Sequence, residues 1–151
     1  MLIFPLGIRG AGDAALDRGT LRGLKAVSVV IDTLDPQINQ EGLTADVLQR
    51  QLESRLSSGG MTVDKAAVEF LGLRVELARG AKKGPYGICL AIGLYQPVTI
   101  NRDKELKTAT QTWEVSTLLI AQPKLLIQST TAALDQLADR FVIAWKSVNT
   151  Q

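Results

Sequence analysis

Two pairs of carboxylates and one thiol are the groups in this sequence best placed to do chemistry. Asp32 and Asp35 stand in "VVIDTLD", where a β-branched run gives way to a turn. Acids at a strand end can hold Mg²⁺ and engage phosphate, which would make the chain a metal-dependent enzyme. No second acidic strand end, phosphate-cradling glycine pattern or partner lysine motif accompanies them. Asp in such a turn also commonly bonds its own backbone. Glu76 and Glu114 could share acid–base work if one were buried beside the other, but both fall on the polar side of alternating segments. Cys89 lies inside an alternating stretch with no His or Lys close in sequence, the setting of a packing residue rather than of a nucleophile. With no histidine and one cysteine, the chain has no histidine-dependent triad, Cys/His zinc site or intramolecular disulfide. No catalytic residue, metal site or cofactor is assigned, and the chain is read as a non-enzyme.

The elements that must position these groups follow from period and punctuation. "LKAVSVVID" (24–32) is a strand, and "TLDPQINQEG" is a loop punctuated by Pro36 and Gly42. The segment 43–60 is a helix. Thr44 caps it, Leu43 staples onto Leu48, and Leu43, Val47, Leu48, Leu52 and Leu56 form its apolar stripe. Gly59 and Gly60 stop it. Residues 69–79, 86–98 and 107–119 then form a three-stranded antiparallel meander, with Pro97 expected to bulge or end the pairing. From Gln122 a long helix places Ile127, Leu134, Leu137, Ala138, Phe141, Trp145 and Val148 on one face, with Pro123 in its first turn. Trp113, Phe141 and Trp145 are expected to meet in the core. The order β-α-β-β-β-α predicts a two-layer α+β sandwich: an antiparallel sheet of four to five strands with two helices on one face. Residues 1–20 read as a loose arm and residues 21–151 as a single domain.

The segment "YGICLAIGLYQPV" (86–98) carries the most suggestive pattern. Ile88, Leu90, Ile92 and Leu94 alternate with Gly87, Cys89, Ala91 and Gly93, ending at Tyr95. The bulky side belongs under the helices. If Leu77 pairs with Ile88, Glu76 stands across from Cys89 and Arg74 from Ala91. A shallow gutter then runs down the open face of the sheet. Arg74, Glu76, Cys89, Ala91, Gly93, Tyr95, Thr112 and Glu114 are the candidate binding residues on that face. Small residues of this kind admit another backbone, ring or acyl chain; equally, they let long neighbours such as Arg74 and Tyr95 fold over them.

Composition narrows the partner classes. The charged fraction is 21%, the hydrophobic fraction 46% and the net charge +2, too even a balance to suggest nucleic acid or an anionic membrane. The basic residues of "RGAKKG" and "NRDKELK" lack interleaved aromatics and read as turns. No apolar run reaches the ~20 residues of a membrane-spanning helix. "MLIFPLGIRGAGDAAL" lacks the basic start and apolar stretch of a signal peptide.

The segments "LRGLKAVSVVIDTLD", "GLTADVLQRQLESRL", "YGICLAIGLYQPVTINRD", "TATQTWE" and "DRFVIAWKSVN" resemble a family of uncharacterised bacterial secreted or envelope proteins. The resemblance spans roughly residues 21–149. The topology is more loosely similar to small α/β domains of envelope assembly proteins, such as the amino-terminal domain of TolB. The family resemblance implies a periplasmic or secreted protein whose signal peptide is absent from this sequence; a native start at Met1 would instead imply the cytoplasm. The resulting expectation is a non-catalytic binding or accessory module of the bacterial envelope, with a protein partner or self-association at the outer sheet face. A carrier of a small apolar ligand between sheet and last helix is the alternative, and a Mg²⁺ enzyme at Asp32 and Asp35 comes third.

Overall fold

Period-two alternation sorts the strand side chains into two faces, and the helices settle on the larger, apolar one. The computed structural model describes residues 11–149. A short helix α1 (Ala15–Gly19) precedes strand β1 (Ala26–Ile31), then α2 (Pro36–Gln40), α3 (Ala45–Ser58) and a two-residue strand β2 (Thr62–Val63). Strands β3 (Phe70–Arg79), β4 (Tyr86–Ile100) and β5 (Asp103–Ala121) follow, and a 3₁₀ turn at Pro123–Leu125 leads into α4 (Leu126–Asn149). The sheet runs β2-β1-β3-β4-β5. No helix among the described residues is long and apolar enough to cross a membrane.

The α+β sandwich is as the sequence predicts, with five strands, but the sheet is mixed rather than wholly antiparallel. β3, β4 and β5 form the expected meander, while β1 pairs in parallel with both β2 and β3. The crossover through α3 explains this: a helix spanning the sheet returns the chain to the end where β1 began, so the next strands run its way.

Leu71, Leu73, Ile88, Leu90, Ile92, Leu94, Trp113 and Val115 point from the sheet to Leu48, Leu52 and Leu56 of α3 and to Leu134, Leu137, Ala138 and Phe141 of α4, all buried. Trp113 meets the Phe141 ring edge-on at 5.2 Å, and the Trp145 indole N–H donates to the Leu24 carbonyl at 2.9 Å. These side chains occupy the space between sheet and last helix where the carrier alternative would place its ligand. Ile127 departs from the predicted face of α4; it is 43% exposed, and Leu126 takes the inward position.

Of the loose arm expected over residues 1–20, residues 1–10 lie outside the described residues. Residues 12–20 are tied to the fold. Asp13 accepts from the Trp113 indole N–H at 2.9 Å and holds Arg18 through two contacts, the shorter 2.7 Å. The Glu114 backbone N–H donates to the Gly12 carbonyl at 3.2 Å, which covers part of the free edge of β5. The Arg18 hydrogen bond is the main cause holding the Asp13 carboxyl below its ordinary value of 3.8; burial works the other way, and the Trp113 N–H assists. A carboxyl with a lowered folded value stabilises above its unfolded value and loses that contribution as pH falls through the folded one. Below about pH 3.8 the tether therefore weakens. In a Trp145→Phe background, Trp113 fluorescence should change in that window, and Asp13→Asn should remove the pH-dependent step.

Pro97 does not end the pairing. It stays in register with Ala109, and the irregularities fall instead at Leu94/Tyr95 and Thr99/Ile100. β3 begins opposite Tyr95, so beyond that point β4 and β5 form a two-stranded ribbon. One side of β4 is unpaired there, the setting in which a strand proline is tolerated.

Candidate binding surface on the outer sheet face

The register between β3 and β4 is the one the sequence suggests: Leu77 pairs with Ile88, Glu76 with Cys89 and Arg74 with Ala91. On β5, Ile120 lies beside Gly87, Leu118 beside Cys89, Ser116 beside Ala91 and Glu114 beside Gly93. The face opposite the helices is thus a grid of short rows across three strands, with β4 supplying the bare column.

The grid divides into two halves. Toward β1 the gutter is filled by its own neighbours. Tyr95 stacks on Phe70 with centroids 4.9 Å apart and planes 4° from parallel. A Cβ added at Gly72 would lie 3.0 Å from the Tyr95 ring, so the glycine is what lets that ring lie flat on the sheet. Gln111 folds over Gly93 in the same way, its amide contacting the Glu114 carboxylate. A groove of about 280 Å³ remains beside the stacked rings, lined by Val30, Asp32, Gly72 and Arg74 among others. Ala91, in mid-face, is only 5% exposed.

The other half stays open. A hollow of about 190 Å³ is lined by Glu76, Leu77, Ala78, Gly87, Cys89 and Leu118. Leu118 is 74% exposed and Ile120 76%, while Val115 on the same strand is buried. Among the outward residues assigned to β5 from sequence, none lies beyond Glu114, although Ser116, beside Ala91, follows the same alternation. Continuing the same alternation by two and four residues places Leu118 and Ile120 outward.

The predicted site residues are therefore only partly brought together. Arg74 and Glu76 are neighbours on β3, with Nε–Oε1 at 3.3 Å and both half-exposed or more. Exposed pairs of this kind contribute little stability. Glu76 and Glu114 lie two rows apart, about 14 Å along the strands, so they form no acid–base dyad. Cys89 is half-buried in the open hollow. Thr112 is a correction. The register shift at Leu94/Tyr95 makes it the extra residue of a bulge, and its hydroxyl accepts from Gln96 Nε2 at 2.7 Å. The same Gln96 amide donates to the Thr20 carbonyl, so Thr112 belongs to the tether of residues 12–20. Gln111 takes the outward place that strict alternation assigned to Thr112.

Asp32 and Asp35 act in turns. Asp32 Oδ1 accepts from the Thr33 N–H and Asp35 Oδ1 from the Gln37 N–H, each at 2.8 Å; the second caps α2. Among the described residues no group of three or more acidic or cysteine side chains gathers where a metal ion could sit. The groups whose acidity the fold shifts lie away from the outer face. The buried Tyr86 is one: its hydroxyl donates to Glu41 at 2.8 Å and accepts from Arg79 at 2.9 Å, and chiefly the Glu41 contact raises its pKa.

No protein-family model matches the chain, and no curated protein matches it. Solved structures similar to it include the PelC dodecamer from Paraburkholderia phytofirmans, at 13% identity over 77% of this chain and 85% of that chain, with a TM-score of 0.46. A minor lipoprotein from Acinetobacter baumannii is 14% identical over 83% of this chain and 96% of that chain, with a TM-score of 0.37.

Proposed function

We propose that this chain is a non-catalytic binding module of the bacterial envelope that recognises a protein through the open half of its outer sheet face. The observation that carries this reading is the pair Leu118 and Ile120, 74% and 76% exposed beside the bare column of Gly87 and Cys89. Withdrawing a large aliphatic side chain from water is worth about 1.5–3 kcal/mol, so two adjacent ones on a flat sheet form a natural anchor for a partner. The envelope assignment rests on the resemblance of the segments quoted above. The acids that might have supported catalysis are occupied in turns or stand apart, which favours binding over chemistry.

A photo-crosslinking amino acid placed at Ser116, exposed between Ala91 and the free edge of β5, tests the reading in living cells. The expected result is a protein adduct that Leu118→Asp abolishes, with none from the same group at Lys82 in the β3–β4 turn. Equal adduct formation from both positions, or none from Ser116, would refute it.

A further inference from the structure

We infer that the groove beside the Phe70–Tyr95 stack is a separate small-molecule site, and that it takes a free α-amino acid with an aromatic side chain. The groove lies toward β1 and shares no lining residue with the hollow at Leu118, so it is independent of the protein-binding face. Its volume of about 280 Å³ is close to the ~300 Å³ at which ligand pockets begin.

The apolar part of the groove is built from Val30, Gly72 and the two stacked rings. Val30 is 46% exposed and pairs with Gly72 across β1 and β3. Because Gly72 has no side chain, the Tyr95 ring leans over it and the groove keeps a flat aromatic wall. A ligand ring can extend that stack, or meet it edge-on, while covering the Val30 methyls.

The polar part holds one acid and one base on adjacent strands. The Asp32 N–H donates to the Leu73 carbonyl at 2.9 Å, one step past the paired row Ile31–Leu73. That sets Asp32 level with Arg74, one strand spacing of about 4.8 Å away. Among the described residues the two charges form no ion pair with each other. Asp32 uses Oδ1 on the Thr33 N–H, and Arg74 meets Glu76 through Nε at 3.3 Å. Oδ2 of the one and the terminal guanidinium nitrogens of the other are left for a ligand. An ammonium and a carboxylate borne on one carbon match an acid and a base on neighbouring strands. The side chain on that carbon then lies along Val30 and the rings. A ligand with a single charge would leave either Asp32 or Arg74 unanswered, which favours the zwitterion.

Titrating the purified chain with L-tryptophan should shift the NMR signals of the Val30 methyls and the Gly72 amide. Half-saturation is expected on the order of 1 mM, with the Leu118 methyls unmoved. Tryptamine, which lacks the carboxylate, and indole-3-propionate, which lacks the ammonium, should each bind about tenfold more weakly, the loss of one charge-assisted hydrogen bond. Asp32→Asn keeps an oxygen for the Thr33 N–H. It should weaken L-tryptophan about tenfold and leave indole-3-propionate unchanged. Arg74→Gln should likewise weaken L-tryptophan and leave tryptamine unchanged. Both side chains are exposed, so neither melting curve should move. No shift at ten times the expected concentration, shifts centred on Leu118, or an equal loss of both ligands in Asp32→Asn would overturn the site. None of these results bears on crosslinking from Ser116, so the two readings stand or fall separately.

Discussion

Replacing Trp113 with alanine should lower the unfolding free energy by about 3–5 kcal/mol, the range for deleting a fully buried large aromatic. Trp113 is 0% exposed, packs edge-on against Phe141, and links the helix-facing core to the tether through Asp13. Its loss opens a cavity between β5 and α4 and leaves the Asp13 carboxylate without its indole donor. Urea unfolding, with the change read at the midpoint and the slope unchanged, measures the cost. Trp113→Phe separates the two contributions: it keeps a ring against Phe141 and removes only the Asp13 hydrogen bond and part of the volume, so it should cost less than half as much. A loss under about 1 kcal/mol for Trp113→Ala would mean that this contact is not central to the core.

Gly59→Ala should destabilise by about 1–3 kcal/mol through overpacking. The glycine follows α3 with φ −79°, a conformation any residue adopts, so its backbone does not require glycine. Its neighbour does. An added Cβ would lie 2.7 and 2.9 Å from the two methyls of Val142 on α4, and a β-branched side chain in a helix has little freedom to turn away. Val142→Ala should relieve the clash, so that the double variant is more stable than the sum of the single effects by about 0.5–3 kcal/mol. Additive effects in a double-mutant cycle of thermal or urea unfolding would show that α3 and α4 do not meet there. Gly60, with φ +94°, has open space around it and is glycine for the backbone's sake instead.

These two glycines show where sequence reading reaches and where it stops. Both were legible as the stop of α3, since paired glycines after an amphipathic stripe mark a helix end. That Gly59 is also a packing contact needs the position of Val142, far away in the chain. Leu118 and Ile120 divide in the same way. Their outward direction follows from the alternation of β5. That no helix lies over them depends on both helices choosing the opposite face.

Period, caps and turn residues marked by themselves β1, the three strands of the meander, the two long helices, a conditional register of β3 with β4, and the apolar face that the helices cover, because each depends on neighbours close in sequence or on a hairpin of short span; they left α1, α2 and β2 unmarked. Only the tertiary structure decided the parallel pairing of β1, the docking of residues 12–20 on the β5 edge, the bulge that turns Thr112 away from the open face, and the filling of one half of the gutter by Tyr95 and Gln111. Each of these joins residues distant in the chain or hangs on a single inserted residue. A one-residue shift reverses the direction of every side chain beyond it, and local period alone cannot place that shift.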